Sequence, residues 1–225
     1  MVLEAQGESP AAEEALETLC RTYWRPVYSF VRRQGVGPEE AEDLTQGFFA
    51  LLLERRDFDT VQKEKGRLRS YLLTSLKHFL TNERNRAIAI KRGKGQRLIS
   101  LDQLHEVEGA SFEPANRATA DQIYERRWAM TVLNQVLVRL EEEHRAAGKM
   151  QLFDRLQKSF TDEPDRSSQV EIAQELGMTE NAVNQAFHRF RQRYRELLRE
   201  EVAHTVAVAV DIEDELRHLI AVLRA

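Results

Sequence analysis

The chain has 225 residues, of which 42% are hydrophobic, and its formal net charge is -4 with an isoelectric point near 5.9. This length suits two small domains with packed cores, and the acidic balance argues against a protein that coats nucleic acid nonspecifically. The single cysteine excludes an intramolecular disulfide. Because no stretch approaches the roughly 18 apolar residues of a membrane helix and no basic region opens the chain, a soluble cytoplasmic protein is expected.

Hydrophobic periodicity predicts helices throughout the first half of the chain. Residues 1–14 are acidic and are predicted to be disordered, and an amphipathic helix follows over residues 15–34. Pro38 suits the first turn of a second helix, and a third is predicted over residues 69–86. The inward positions predicted for the second and third helices are Ala41, Leu44, Phe48, Leu51, Leu52, Leu72, Leu76, Phe79 and Leu80.

Residues 93–122 change character and are predicted to be a linker. Basic residues with two glycines come first, acidic residues follow, and no periodicity is sustained. Helical periodicity resumes near Asp121, pauses at Gly148 and returns over residues 152–160. A last amphipathic helix is predicted over residues 211–223, and no alternating pattern is long enough for a sheet. The fold is therefore expected to be all-α.

Residues 168–199 have the pattern of a helix-turn-helix. Ser168 and Glu171 form a capping box, which predicts a helix starting at Gln169. Gly177 supplies a left-handed turn conformation, and Thr179 is placed to cap a second helix.

The second helix of this pair has two opposed faces at about 100° per residue. The predicted buried side carries Val183, Phe187, Phe190, Tyr194 and Leu197. The opposite side carries Asn181, Asn184, Gln185, His188 and Gln192, flanked by Arg189, Arg191, Arg193 and Arg195. Such a helix suits a major groove, with amides toward base edges and guanidinium groups toward phosphates. The competing interpretation is an ordinary solvated surface.

Two further segments make a family comparison possible. Residues 38–49, PEEAEDLTQGFF, have an acidic lead and an Asp-Leu-x-Gln centre, and residues 66–72 read GRLRSYL. With the helix-turn-helix, these segments resemble the extracytoplasmic-function (ECF) type of bacterial RNA polymerase sigma factor. The resemblance covers about residues 18–95 and 125–203.

The resemblance implies a division of the chain into functional parts. Residues 15–92 would be a region 2-like domain that binds core polymerase and melts the minus-10 element, and residues 123–204 a region 4-like domain that binds the minus-35 element. Residues 93–122 would link them, and residues 205–225 would be a C-terminal extension. Core RNA polymerase and promoter DNA would be the partners, and an anti-sigma or other regulatory protein is left open. No cofactor, metal or catalytic residue is implied.

The resemblance also assigns roles to individual residues of this chain. Core polymerase would be contacted by Asp43 and Gln46. Phosphates near the minus-10 element would be held by Arg67, Arg69, Lys77 and Arg84, and unpaired bases would be stacked by Tyr71 and His78. Bases of the minus-35 element would be read by Asn184, Gln185, His188 and Arg189, and phosphates there would be bound by Arg191, Arg193 and Arg195.

The chain departs from the family pattern at several of these positions. Gly47 stands where the family usually carries glutamate, Tyr71 where many members have tryptophan, and His78 where many have asparagine. A basic residue is common at the position of Asn184. The family's promoter sequences therefore do not transfer to this chain.

Three other classes of protein remain as alternatives. A helix-turn-helix regulator acting without polymerase would have no use for the Asp43 helix. An adaptor that binds only protein would leave the arginines of the second helix without a role. An enzyme is not expected, because the sequence has no G-x-G-x-x-G or P-loop motif and its six histidines show no metal-ligand spacing.

Overall fold

A computed structural model describes residues 10–54, 67–93, 118–158, 166–206 and 208–224. These residues form α-helices and one short 3-10 turn, Ala209–Asp211, with no β-strand among them. The all-α prediction is therefore confirmed for this part of the chain. The helices are α1 Pro10–Arg33, α2 Pro38–Glu54, α3 Leu68–Gly93, α4 Ala120–Ala146, α5 Met150–Lys158, α6 Arg166–Glu175, α7 Glu180–Ala203 and α8 Ile212–Arg224.

Helix ends differ from prediction at three places. Helix α1 begins at Pro10, inside the segment predicted to be disordered, and α3 continues to Gly93. Helix α6 begins at Arg166, so the predicted capping box at Ser168 is wrong, because that residue already lies within the helix. The predicted linker lies largely outside the described residues, and its last residues already belong to α4.

Contacts divide the chain into two compact units. Unit 1 comprises the chain up to Ala129 together with the segment from His204 onward. It therefore contains α1, α2, α3, the first ten residues of α4, and α8. Its buried apolar side chains come from all of these elements and include Leu19, Tyr23, Val27, Phe30, Phe48, Leu52, Leu68, Leu72, Leu76, Tyr124, Trp128 and Leu219.

Unit 2 comprises residues 130–203 and has its own apolar core. Three rings pack at its centre, with centroids 5.4 Å apart for His144 and Phe153 and 5.9 Å apart for Phe153 and Phe190. Side chains of α4, α5, α6 and α7 surround these rings, among them Val136, Leu140, Leu156, Ile172, Ala173, Val183, Phe187, Tyr194 and Leu197. Each fully buried aliphatic or aromatic side chain contributes about 1.5 to 3 kcal/mol, so this core fixes which face of α7 points inward.

The turn between α6 and α7 has the predicted local chemistry. Gly177 has a φ of 62°. The Met178 amide donates to the Ala173 carbonyl at 2.8 Å, and the Gly177 amide donates to that of Gln174 at 3.4 Å. These two bonds are the Schellman arrangement that closes a helix with glycine. Thr179 then accepts a hydrogen bond from the Ala182 amide at 3.2 Å, which confirms it as the cap of α7.

Replacing Gly177 with alanine should lower the free energy of unfolding of unit 2 by about 1 to 2 kcal/mol, because a left-handed φ strains any L side chain. An added Cβ at this position meets nothing within 4 Å, so backbone strain alone sets the loss. The measurement is urea denaturation followed by far-ultraviolet circular dichroism.

Gly47→Ala is the control, and it should raise the free energy of unfolding of unit 1, to which α2 belongs. Gly47 lies inside α2, where alanine is favoured over glycine by about 1 kcal/mol. Its added Cβ would lie 3.5 Å from Phe79 Cζ, an ordinary contact. A Gly177→Ala variant as stable as the parent would contradict the assigned turn.

Candidate nucleic-acid interface

Helix α7 buries one face completely. Its buried apolar residues are Val183, Ala186, Phe187, Phe190, Tyr194, Leu197 and Val202. They recur every three or four residues, which places them on a single side of an α-helix. The five positions predicted to face inward, Val183, Phe187, Phe190, Tyr194 and Leu197, are all among them, so the orientation of the helix follows from its hydrophobic pattern.

The opposite face of α7 carries the four side chains predicted to read bases. Asn184, Gln185, His188 and Arg189 are all exposed. Within the described residues, none of the four is engaged in a hydrogen bond or ion pair with another side chain. Their donors and acceptors therefore face water. A helix of this kind can offer amide, imidazole and guanidinium groups to an external polar surface.

The three arginines predicted to bind phosphate have different surroundings. Arg195 is exposed and Arg191 is half-buried. The Arg193 guanidinium, in contrast, is already paired within unit 2: it donates to Glu143 at 2.7 Å and to Glu196 at 3.2 Å, and a Glu200 oxygen lies at 3.6 Å. A phosphate would have to compete with three carboxylates for this side chain.

The Arg193 pairs also connect α7 to α4. The hydrogen bond from Arg193 lowers the pKa of Glu143 below its ordinary value, and the same bond raises the pKa of Arg193. Nearby, Arg139 of α4 donates to Glu200 at 2.7 Å and to Glu201 at 3.3 Å. Arg193 is thus part of an ionic network that holds α7 against α4, a role that its position among other arginines did not indicate.

Helix α3 carries the residues predicted to meet the minus-10 element. Lys77, His78 and Arg84 are exposed, and Tyr71 is half-buried. Lys77 donates to Asp121 at 2.7 Å across a pair in which both side chains are about half exposed. Surface pairs of this kind contribute little and exchange readily. These four side chains remain accessible to a ligand at the surface.

Arg69 does not have the surroundings predicted for it. Its side chain is only 4% exposed, and its guanidinium donates to Glu215 of α8 at 2.6 Å and to Glu125 of α4 at 2.5 Å. It also lies over the Trp128 ring, 5.3 Å from the centroid. Because the guanidinium is enclosed and paired with two carboxylates, Arg69 is not available in this structure for the predicted phosphate contact and instead has an internal role.

The groups around Arg69 extend this interior network. Burial disfavours the charge of Arg69, yet the bonds to Glu215 and Glu125 keep its pKa above the ordinary value. The Tyr124 hydroxyl donates to the Arg69 carbonyl at 3.1 Å, and burial raises the pKa of this hydroxyl well above its ordinary value. His218 lies 2.9 Å from the second Glu125 oxygen.

Arg67 joins the same network at its solvent-facing edge. Its Nε lies 2.9 Å from a Glu215 oxygen, and its Nη2 lies 3.9 Å from Asp214. The side chain is 30% exposed, so it is only partly available to an external group. The Glu215 carboxylate, which forms ion pairs with both Arg67 and Arg69, is fully buried.

Sequence reasoning missed Glu215, although two patterns indicated it. Arg69 stands three residues before Leu72 and seven before Leu76, so it shares the inward face of α3. Glu215 stands four residues before Leu219 and shares the inward face of α8. Opposite charges placed on two apolar stripes are the pattern of a buried pair.

Helix α2 presents the residues predicted to contact core polymerase. Asp43 and Gln46 are exposed. The opposite side buries Ala41, Thr45, Phe48, Phe49 and Leu52. Leu44 and Leu51, which were predicted to face inward, are only half-buried. Thr45 is buried instead, and its hydroxyl donates to the Ala41 carbonyl at 2.7 Å.

Comparison of the chain with protein-family models, with curated proteins and with solved structures found no match. The described residues contain no group of three or more side chains that could hold a metal ion. None of the described helices is both long and apolar enough to cross a membrane.

Replacing Arg69 with alanine should destabilise unit 1 by roughly 3 to 5 kcal/mol, because it leaves carboxylates buried beside an empty space. The matched control is Arg84→Ala, an exposed arginine on the same helix, which should change stability by less than about 0.5 kcal/mol. Both values come from urea denaturation. Equal stability of the two variants would show that Arg69 is not a buried partner.

Proposed function

We propose that the chain is a bacterial RNA polymerase sigma factor of the extracytoplasmic-function type. It binds core polymerase, directs it to specific promoters through their minus-35 and minus-10 elements, and assists strand opening. The observation that carries this proposal is helix α7. One side of it is buried, the other offers the exposed side chains of Asn184, Gln185, His188 and Arg189, and a glycine turn joins it to a short preceding helix.

The pair α6 and α7 is proposed to act as the minus-35-binding helix-turn-helix. Arg189 suits bidentate recognition of guanine, and Gln185 or Asn184 suits adenine. Arg195 and Arg191 supply phosphate contacts beside these readers. Arg193 is left out of the phosphate set, because its bonds to Glu143 give it a role within the unit.

Unit 1 is proposed to hold the other two functions. Asp43 and Gln46 form an exposed polar surface on α2, which suits an oriented contact with the polymerase clamp, where polar pairing gives specificity more than affinity. Tyr71, His78, Lys77 and Arg84 lie along α3 and suit a melted strand, because aromatic rings stack on bases while cations pair with phosphates.

The main alternative is a helix-turn-helix regulator that acts without polymerase, and one experiment separates the two functions. Genomic DNA of the encoding organism is transcribed in vitro by core RNA polymerase with and without the protein, and transcript 5′ ends are mapped. The sigma proposal expects new start sites with shared upstream elements at two positions. In parallel, genomic fragments are captured by the protein alone. Capture of sites with two symmetric half-sites, without new start sites, would instead support the regulator, because such proteins usually bind DNA as dimers.

Asp43→Lys should weaken association with core polymerase by at least about tenfold, because a reversed charge at a complementary polar interface is repelled. The control is Glu17→Lys on α1, which makes the same charge change at an exposed residue whose pair with Arg21 is a surface pair. Association is measured by titrating labelled protein with core polymerase. Normal binding of Asp43→Lys would remove α2 from the proposed interface.

Arg189→Ala should weaken recognition of the mapped promoters by about 1 to 3 kcal/mol, roughly fivefold to 150-fold. It should leave core association unchanged. The control is Arg145→Ala, which removes an exposed arginine of the same unit that is paired with Glu141. A variant that transcribes these promoters as well as the control would exclude Arg189 as a base reader.

A further inference from the structure

The C-terminal segment is built into the interior of unit 1. Thr205, Val206, Glu215 and Leu219 are all buried. The Thr205 carbonyl accepts a hydrogen bond at 3.3 Å from the Leu68 amide, at the first residue of α3. The segment therefore contacts the beginning of the helix that is proposed to meet the melted strand.

Carboxylates of α8 pair with two arginines at the N-terminal end of α3, Arg67 and Arg69. Glu215 accepts from Arg69 through both carboxylate oxygens, at 2.6 and 3.3 Å, and its second oxygen also lies 2.9 Å from Arg67. Asp214 lies 3.9 Å from Arg67. A two-oxygen contact to a guanidinium is also the geometry with which phosphate is recognised. Glu215 and Asp214 thus stand where phosphate oxygens would otherwise pair with these arginines.

Helix α8 is attached to unit 1 through a mixed apolar and charged face. Glu215 and Leu219 are fully buried, and four further apolar side chains are half-buried: Ile212, Leu216, Val222 and Leu223. The residues that lead into it include Val208 and Val210, which are 36% and 80% exposed. Release of α8 would uncover its buried and half-buried side chains and the part of unit 1 that they cover, including the Trp128 ring, whose centroid lies 6.4 Å from that of His218. Binding of the DNA strand would have to offset the loss of these contacts.

We propose that α8 is an autoinhibitory latch that competes with a DNA strand for Arg67 and Arg69. The latch rests on the proposed function, since it assumes that the start of α3 meets DNA. In the latched state, the carboxylates of α8 hold both guanidinium groups. When α8 leaves, Arg67 and Arg69 pair with phosphates, and the protein gains affinity for the melted strand.

The first test measures binding of a fluorescein-labelled single-stranded DNA of random sequence by fluorescence anisotropy across a range of salt concentrations. Glu215→Gln removes the charge that both arginines share. The plot of log affinity against log salt should become steeper by about 0.7 for each arginine released, or about 1.4 for two. Glu213→Gln makes the same charge change at an exposed position of α8 and should leave the slope unchanged. An unchanged slope and affinity in Glu215→Gln would overturn the latch.

A second background separates release of arginines from a general charge effect. With Arg67→Gln already present, Glu215→Gln can release Arg69 alone, so its effect on the slope should fall to about 0.7. If net charge alone caused the change, Glu215→Gln would steepen the slope as much in the Arg67→Gln background as in the parent chain. That outcome would also overturn the proposal.

A further variant and the parent chain cover the case in which Glu215→Gln does not fold. Leu219→Ala removes the buried apolar side chain of α8 without a charge change, and it should steepen the slope in the same direction. In the parent, saturating single-stranded DNA should increase amide hydrogen exchange over residues 212–224. Unchanged exchange at saturation would overturn the latch, as would a Leu219→Ala variant that binds no better than the parent.

The outcomes distinguish this inference from the proposed function, because the DNA assay contains no polymerase. New start sites with core polymerase, together with no effect of Glu215→Gln or Leu219→Ala, would leave the sigma function standing and remove the latch. Tighter strand binding by both variants, without any promoter-directed transcription, would keep the latch and remove the sigma function.

Discussion

Unit 1 depends on a guanidinium buried in its interior. A charge in a medium of low polarity must be paired, so Arg69 constrains every element that supplies it with a partner. Glu215 comes from α8, Glu125 and Trp128 come from α4, and the Tyr124 hydroxyl binds the Arg69 carbonyl. One side chain thus ties together three helices that are distant in the chain, α3, α4 and α8.

The same physics separates two kinds of arginine in this protein. Arg189 and Arg195 are exposed, whereas Arg69 and Arg193 are held by carboxylates of their own unit. A DNA contact was predicted from the sequence for all four: base reading by Arg189 and phosphate binding by the other three. A guanidinium that is paired with a carboxylate of its own unit is less available to DNA. The proposed interface on α7 therefore includes fewer arginines than the helix contains, and it is centred on Asn184, Gln185, His188 and Arg189.

Much of the fold could be predicted because its causes are local. A 3.6-residue period fixed the inward face of α7, and glycine and threonine chemistry fixed the turn at Gly177. Periodicity places Arg69 and Glu215 each on the inward face of its own helix, but it does not identify them as partners, since 146 positions separate them and no local rule selects the pair. The exposure of Asn184 and His188 followed from periodicity, whereas what they bind depends on a partner molecule and stays a prediction.

The placement of Trp128 under Arg69 has a practical consequence for measuring this molecule. The chain has two tryptophans, Trp24 and Trp128, and both belong to unit 1. Indole emission therefore reports on unit 1 alone, while helical ellipticity reports on both units. Recording both signals in one titration resolves the two units without cutting the chain, and the buried indole beside a cation gives unit 1 its own optical reporter.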